Sequence, residues 1–521
     1  MFKKCLLAMS LCLVLAAAPK VKVIDLSWSN PTVAFLEKHL AEMEKDSPLD
    51  GLTIRFSGKP EEIDGKKHAP SSGNAWNRKP WKFEQLQDEI QRYKALHFTQ
   101  FTDNFFYLTT SQMDFDWCND NDWKSVASNF GVAAKAAKEM GLKGLLVDIE
   151  EYGKNFWDYG DDVHPKEIGY DELSKVVFKR GQQWGDAIFG AYPNIILFMP
   201  YALSMRNATL VYPFLNGVID VMPPTALIYD GCESQGYRAK SPLEYGRIQN
   251  SLRKTIRMEI MEKNRVKARA QVLLSPAFYL DAHWTASRTS IYYQALLPEM
   301  EEQGHVKFFA RNFLGAMEEA EPYIWLYGEK RCWWKGSPHS KVLGTWDEAP
   351  NAEGLSKTII ALKDLDNFRL EPGKNLAIDP TFTGKEHAWT LWQLEDDKKL
   401  PAPGNGVIGN GKAVARKVKH GCFHQTIPIT PGKFYFYLVK GGYQGSSGRA
   451  GASLCFQDAS HKWLSHNVNL HLKLPQSDKL ETCYGYVLAP ENAAFVSIQC
   501  GVSGQGDEGE IYFTEVSLSE F

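Results

Sequence analysis

The sequence predicts an α/β fold, a (β/α)8 TIM barrel, followed by an antiparallel β-sandwich. Three observations lead there. Between about residues 20 and 345, eight short β-rich runs alternate with longer helical patterns, as parallel strands joined by crossover helices require. No GxGxxG follows the first strand, which counts against an open doubly wound sheet. From about residue 371 onward the texture changes to short alternating runs punctuated by Gly and Ser, the mark of antiparallel strands.

The strands follow in order. VKVIDLSW (21–28) is a β-branched run followed by an amphipathic helix over 32–45. LTIRF (52–56) precedes a helix over 81–96, and NFFYLT (104–109) precedes an Ala-rich helix over 122–140. KGLLVDI (143–149) leads to a helix over 170–189, and NIILFMPY (194–201) supplies the fifth strand. VIDVM (218–222), QVLLSPAFYL (271–280) and EPYIWLY (321–327) complete the eight. The charged segment 244–267 keeps apolar residues at helical spacing with Glu interspersed, so it is a solvated barrel helix and not a nucleic-acid surface. The expected organisation is a leader at 1–18, a barrel at 19–370 and a sandwich at 371–521.

Composition agrees with a large packed protein. The 521 residues are 44% hydrophobic, enough for more than one core, and the formal net charge of −3 gives no reason to expect a nucleic-acid partner. MFKKCLLAMSLCLVLAAAPK opens with two lysines, an apolar run from Cys5 to Leu15 and then small residues. That order is a secretory signal peptide, too short to remain as a membrane span. A secreted or periplasmic product without a membrane span is expected. Seven cysteines remain beyond the leader, none in a CxxC pair, and the histidines lack ligand spacing. No metal and no cofactor is expected.

GLKGLLVDIEEYG (141–153) carries apolar residues straight into a run of acids. Residues two apart on a strand share a face and lie roughly 6.5–7 Å apart. Asp148 and Glu150 therefore point together, and the inward face at the C-terminal end of a barrel strand opens into the active-site mouth. When two carboxylates crowd each other, one keeps its proton at a pH where a free acid loses it. Glu150 is then the candidate general acid/base and Asp148 the partner that sets its proton affinity, a division of labour suited to glycosidic-bond cleavage. Helix capping or pairing with an Arg is the structural alternative for these acids.

KGLLVDIEEY resembles the fourth strand of chitinase-like barrel hydrolases, in which a Gly-Leu-x-x-Asp-x-Glu run supplies an acid/base Glu and a helper Asp. Asp148 and Glu150 match those positions, whereas Leu146 stands where the family carries an earlier Asp. The family's Met-x-Tyr-Asp pattern on strand six is matched only in part by Met222 and Tyr229-Asp230. NLAIDPTFTG (375–384), HAWTLWQ (387–393) and the closing EIYFTEVSL (510–518) resemble carbohydrate-binding sandwich modules. Such sandwiches also serve as structural appendages. These resemblances imply a glycoside hydrolase acting on a complex glycan or polysaccharide.

Other strand ends supply further candidates. Glu329, after strand eight, or Asp230, after strand six, is the second catalytic carboxylate, with a salt bridge to Lys330 or Arg331 as the other reading of Glu329. Trp28, Tyr229, His283, Trp284, Tyr327, Trp333 and Trp334 are candidates to bound or stack on a sugar. Arg55 on strand two either neutralises neighbouring acids or holds a sugar carboxylate, which keeps open an exo-hydrolase of acidic sugars, of sialidase or uronidase type. A non-catalytic glycan-binding protein on a degenerate barrel is the remaining alternative.

Overall fold

The computed structural model describes residues 21–63, 65–109, 116–150, 156–160, 167–205, 208–284, 290–336, 342–370, 374–395, 398–401 and 405–520. The leader expected at 1–18 lies outside the described residues, as do Glu151 and residues 371–373. The chain divides into two compact units, Met1–Lys363 and Asp364–Phe521.

The first unit runs β1 (Lys22–Ser27), α1 (Val33–Glu44), β2 (Gly51–Ile54), the hairpin β3 (Glu61–Ile63) and β4 (Lys66–His68), α2 (Gln87–Lys94), β5 (Phe105–Thr109), α3 (Asp120–Met140) and β6 (Gly144–Asp148). It continues with α4 (Tyr170–Ala191), β7 (Ile196–Met199), α5 (Val211–Val221), β8 (Leu227–Asp230), α6 (Glu233–Gly236), α7 (Pro242–Glu259), α8 (Arg265–Gln271), β9 (Val272–Leu274) and β10 (Ala277–Tyr279). Then come α9 (Leu280–Trp284), α10 (Ile291–Gln303), α11 (His305–Glu319), β11 (Tyr323–Gly328) and α12 (Leu355–Leu370), which runs past the unit boundary.

Nine of these strands make one curled parallel sheet in the order β10-β11-β1-β2-β5-β6-β7-β8-β9. Both faces are covered, so the strands read as continuous apolar runs: the first four residues of β6, GLLV, are all buried. Ile24, Leu26, Phe105, Leu146, Phe198, Tyr229, Ala277, Tyr323 and Trp325 form one cluster on the concave face. They alternate with residues such as Leu145 and Val147, which are buried on the opposite face.

Two expectations need correction. VIDVM (218–222) is the end of helix α5 and not the sixth strand. In α5 Val211, Phe214, Leu215, Val218 and Ile219 are buried, a spacing of three and four that belongs to a helix. The strand in that place is β8, LIYD, which pairs with β7 through Phe198↔Tyr229 and Met199↔Asp230. Likewise 271–280 is not one strand. Pro276 has no N–H to give a ladder, and the run breaks at Ser275-Pro276 into β9, which pairs with β8, and β10, which pairs with β11. This break is why the sheet has nine strands where eight were expected.

Helices α4 and α5 cross at a pair of reciprocal glycines. A Cβ on Gly181 would lie 2.0 Å from the carbonyl oxygen of Phe214, and one on Gly217 would lie 2.0 Å from that of Phe178. Only hydrogen at both positions lets the backbones approach this closely.

The second unit contains β12 (Thr390–Glu395), β13 (Lys398–Pro401), β14 (Gly406–Gly409), β15 (Lys412–Ala415), β16 (His420–Pro428), β17 (Phe434–Gln444), β18 (Arg449–Gln457), β19 (Leu470–Lys473), β20 (Glu481–Leu488), β21 (Phe495–Ser503) and β22 (Glu510–Glu520). They form two antiparallel sheets, β13-β12-β16-β21-β18-β19 and β14-β15-β22-β17-β20. Alternate residues of both sheets, among them Phe423, Leu454 and Ile498 from one and Tyr437, Val439 and Phe513 from the other, share a single core. Among the described residues, no helix is long and apolar enough to cross a membrane.

Gly181→Ala is expected to lower stability by about 1–3 kcal/mol through overpacking, whereas Gly190→Ala, with nothing within 4 Å of its added Cβ, should leave it unchanged or slightly higher. Chemical denaturation of both variants checks this; equal midpoints would show that the α4–α5 crossing is not tight.

Candidate active site

The fourth parallel strand, β6, ends in Asp148, with Glu150 two residues beyond it. Leu146 belongs to the inner cluster, and the alternation of β6 puts Asp148 on the same face, paired across the ladder with Thr109 of β5. Asp148 and Glu150 are both half-buried, and the backbone N–H of Glu150 donates to Asp148 Oδ1 at 3.0 Å. Burial raises the Asp148 carboxyl to about 7, against the pull of that hydrogen bond and with help from the charge of Glu150. The carboxyl poised to hold a proton near neutrality is therefore that of Asp148, the residue expected to act as the partner.

A third carboxylate, absent from the sequence-based candidates, joins them. Glu233 opens α6, three residues beyond β8. Burial, and then the charges of Asp148 and Glu150, push its carboxyl well above the usual range, with the Tyr237 hydroxyl pulling the other way. The same charges act on the phenols around them: Tyr107 responds to Asp148 and Glu233, and Tyr201 to Glu233 and Glu150. Tyr237 stacks on Tyr327 with centroids 6.0 Å apart and touches Tyr279 at 5.1 Å and Tyr292 at 5.5 Å. The guanidinium of Arg55 lies 5.8 Å from the centre of the Tyr107 ring. The signal for Glu233 was present in LIYDGCES, but placing strand six at VIDVM moved the strand end upstream of it.

Glu329 is tied into the tyrosine cluster. Its Oε1 accepts from Tyr279 Oη at 3.1 Å and Tyr327 Oη at 3.2 Å, and its Oε2 lies 3.7 Å from Lys330 Nζ. Lys330 in turn sits 4.6 Å above the ring of Trp28, whose indole N–H donates to Tyr327 Oη at 3.0 Å. Beside this network Trp333 donates its indole N–H to Asp25 Oδ1 at 3.0 Å, and Ser27 donates to Asp25 Oδ2 at 2.8 Å. Burial nevertheless raises Asp25 to about 7, since these two hydrogen bonds only partly oppose it.

The remaining candidates stand away from this constellation or are buried in packing. Asp230 is fully buried, its oxygens accepting from the Ser204 backbone N–H at 2.9 Å, the Ser204 hydroxyl and the Cys232 N–H at 3.0 Å. Its carboxylate binds two loops together. Tyr229 lies in the inner cluster against Phe198 and Tyr323. His283 is enclosed by Phe278, Phe308, Phe309 and Trp284, and burial lowers it to about 4. Trp284 gives its indole N–H to the Asn351 carbonyl at 2.9 Å, and Trp334 is buried. Among the described residues, no group of three His, Cys, Asp or Glu side chains is arranged to hold a metal ion.

No family model matches the chain, and no curated protein sequence does. Solved structures with partial likeness include the enzymatically active domain of tailspike protein 4 of bacteriophage CBA120, at 19% identity over 28% of this chain and 21% of that one, with a TM-score of 0.22. CBM4 matches at 18% identity over 28% of this chain and 99% of that one, also with a TM-score of 0.22. The C-terminal family 22 carbohydrate binding module of Clostridium thermocellum Xyn10B matches at 14% identity over 27% of this chain and 89% of that one, with a TM-score of 0.20. At such scores neither fold nor function carries over.

Because Asp148 holds its proton more tightly folded than unfolded, wild-type stability should fall as pH rises from the ordinary carboxylate value, about 4, toward about 7. Asp148→Asn keeps an acceptor for the Glu150 N–H and removes the charge. Its thermal midpoint should gain on the wild type steadily over that window; parallel curves from pH 4 to pH 8 would mean that Asp148 ionises freely.

Proposed function

We propose that the protein is an exported glycoside hydrolase that works by carboxylate general acid/base catalysis in the cup formed by the parallel sheet. The observation that supports this reading is Asp148 at the end of β6, its carboxyl pushed up to about 7 by burial and accepting the backbone N–H of Glu150 at 3.0 Å. A glycosidic bond breaks when its leaving oxygen receives a proton while the charge developing on the sugar is met by a carboxylate. Two crowded carboxylates with unequal proton affinities supply both parts.

A closed (β/α)8 barrel is part of the proposal. The first and last strands of the sheet order, β10 and β9, are consecutive in the chain. Around the break between them Ser275 N–H donates to the Asp230 carbonyl at 2.9 Å, and Trp325 N–H donates to the Pro276 carbonyl at 3.0 Å. A crystal structure lacking either hydrogen bond would leave the sheet open. The tyrosine cluster, Trp28 and Trp333 would form the walls that a sugar ring meets, and Tyr327 and Glu329 would receive its hydroxyls. In the second unit Trp392 of β12, 38% exposed, offers a flat surface of the kind that glycan-binding sandwiches use.

Arg55 supports a second reading, hydrolysis of acidic sugars, because its guanidinium shares the Tyr107 ring with the Asp148 neighbourhood. Aryl glycosides of neutral and uronic sugars separate the two, since only an acidic substrate loses its hydrolysis in Arg55→Ala.

Glu150→Gln is expected to lower turnover by at least about 100-fold while glycan binding, measured by calorimetry, persists. Turnover equal to the wild type would remove Glu150 from the mechanism. Binding without turnover in the wild type would favour a glycan-binding protein instead.

A further inference from the structure

Resting on the hydrolase reading, we propose that Glu233 is the catalytic acid, the group that hands its proton to the departing glycosidic oxygen, with Glu150 as the second carboxylate, facing the sugar.

The chain holds Glu233 in place with unusual care. Gly231 N–H donates to the Met199 carbonyl at 2.8 Å, and Glu233 N–H donates to the Pro200 carbonyl at 3.3 Å, so the turn is tied to the end of β7. Between them Cys232 adopts the left-handed region at φ 44°, a conformation that a non-glycine side chain occupies only when its surroundings enforce it. What enforces it is Asp230, whose buried carboxylate accepts the Cys232 N–H. On the other side Gly236 lies so close to β10 that a Cβ there would sit 2.6 Å from the Ala277 carbonyl oxygen. The Tyr201 and Ser234 hydroxyls, 2.7 Å apart, close the ring. Asp230 thus acts as a positioning residue for the carboxylate three places downstream.

The Tyr237 hydroxyl supplies an independent observation. Tyr237 is 2% exposed, and among the described residues its hydroxyl makes no hydrogen bond of ordinary geometry, although it is near enough to Glu233 to oppose that group's rise. A buried donor left unmade in this way becomes useful once Glu233 ionises and needs a hydrogen bond. Among the described residues, the titratable groups coupled to Glu233 are Asp148 at the end of β6, Glu150 just beyond it, Tyr237 just after α6, Tyr201 after β7 and Tyr107 on β5.

The step balances as follows. The bond between the anomeric carbon and the leaving oxygen breaks, and its electron pair stays on that oxygen, which takes the Glu233 proton. Glu233 is left as a carboxylate, now a partner for the Tyr237 hydroxyl, and the positive charge on the sugar is met by the Glu150 carboxylate. Water then adds its oxygen to the anomeric carbon and returns a proton to Glu233.

The test compares leaving groups, because an acid matters only when the departing oxygen needs protonation. Wild type and Glu233→Gln are assayed on the dinitrophenyl and the unsubstituted phenyl glycoside of a sugar that the wild type cleaves. The variant should lose at least about 100-fold on the phenyl substrate and less than about tenfold on the dinitrophenyl one. Activity on the dinitrophenyl substrate also certifies that the variant is folded. Equal losses on both, or no loss on either, overturn the assignment while leaving the hydrolase reading intact. A wild type that cleaves no glycoside brings down both. As a second arm, Tyr237→Phe should move the alkaline limb of wild-type kcat/KM to higher pH, since the hydroxyl opposes protonation of Glu233; an unmoved limb counts against the assignment even if Glu233→Gln does not fold.

Discussion

The desolvation of carboxylates at the ends of parallel strands is the constraint around which the first unit is arranged. A parallel sheet covered on both faces leaves acids at its strand ends little water, and each must find a way to exist there. Asp103 is held ionised below its usual range, with Tyr323 donating at 2.7 Å and Lys22 and Lys143 close by, despite its burial. Asp230 accepts three hydrogen bonds and becomes a brace, although burial still raises its carboxyl. Asp148, Asp25 and Glu233 meet the same cost by keeping a proton. The first two solutions serve architecture, and the third stores a proton where chemistry can use it.

The tyrosines follow from the same constraint. Tyr107, Tyr237, Tyr279 and Tyr327 continue the inner cluster beyond its fully apolar members and bring hydroxyls to the level of the acids. An apolar ring packs against the cup while its phenol satisfies a carboxylate, as Tyr279 and Tyr327 do for Glu329. Glu329 is in this way both a partner of Lys330 and a member of the tyrosine network.

The break at Ser275-Pro276 ties the sheet to the site. It frees β9 to pair with β8 and β10 to pair with β11, and it brings β10 against the short helix that carries Glu233. One imino acid in one strand therefore bears on both the strand order and the clamp around a carboxylate.

Strand by strand, the alternation of apolar runs with helical segments located most of the parallel sheet, and a period of two along GLLVD puts Asp148 on the face of Leu146, whereas the strand ends there and the period no longer governs Glu150. The antiparallel strands of the second unit were legible for the same reason, since FYFYLVKGG and AFVSIQCGV carry their burial pattern in their spelling. A window as short as VIDVM was not, because five apolar residues look alike in a strand and in the last turn of a buried helix. That error hid Glu233. Whether an acid near a strand end is tied into a brace, as Asp230 is, or set among other carboxylates, as Glu233 is, depends on which groups reach it, and some of those come from segments far along the chain. Local residue order dictates which face a side chain takes; only the packed tertiary arrangement decides how much water and how many donors each carboxylate retains.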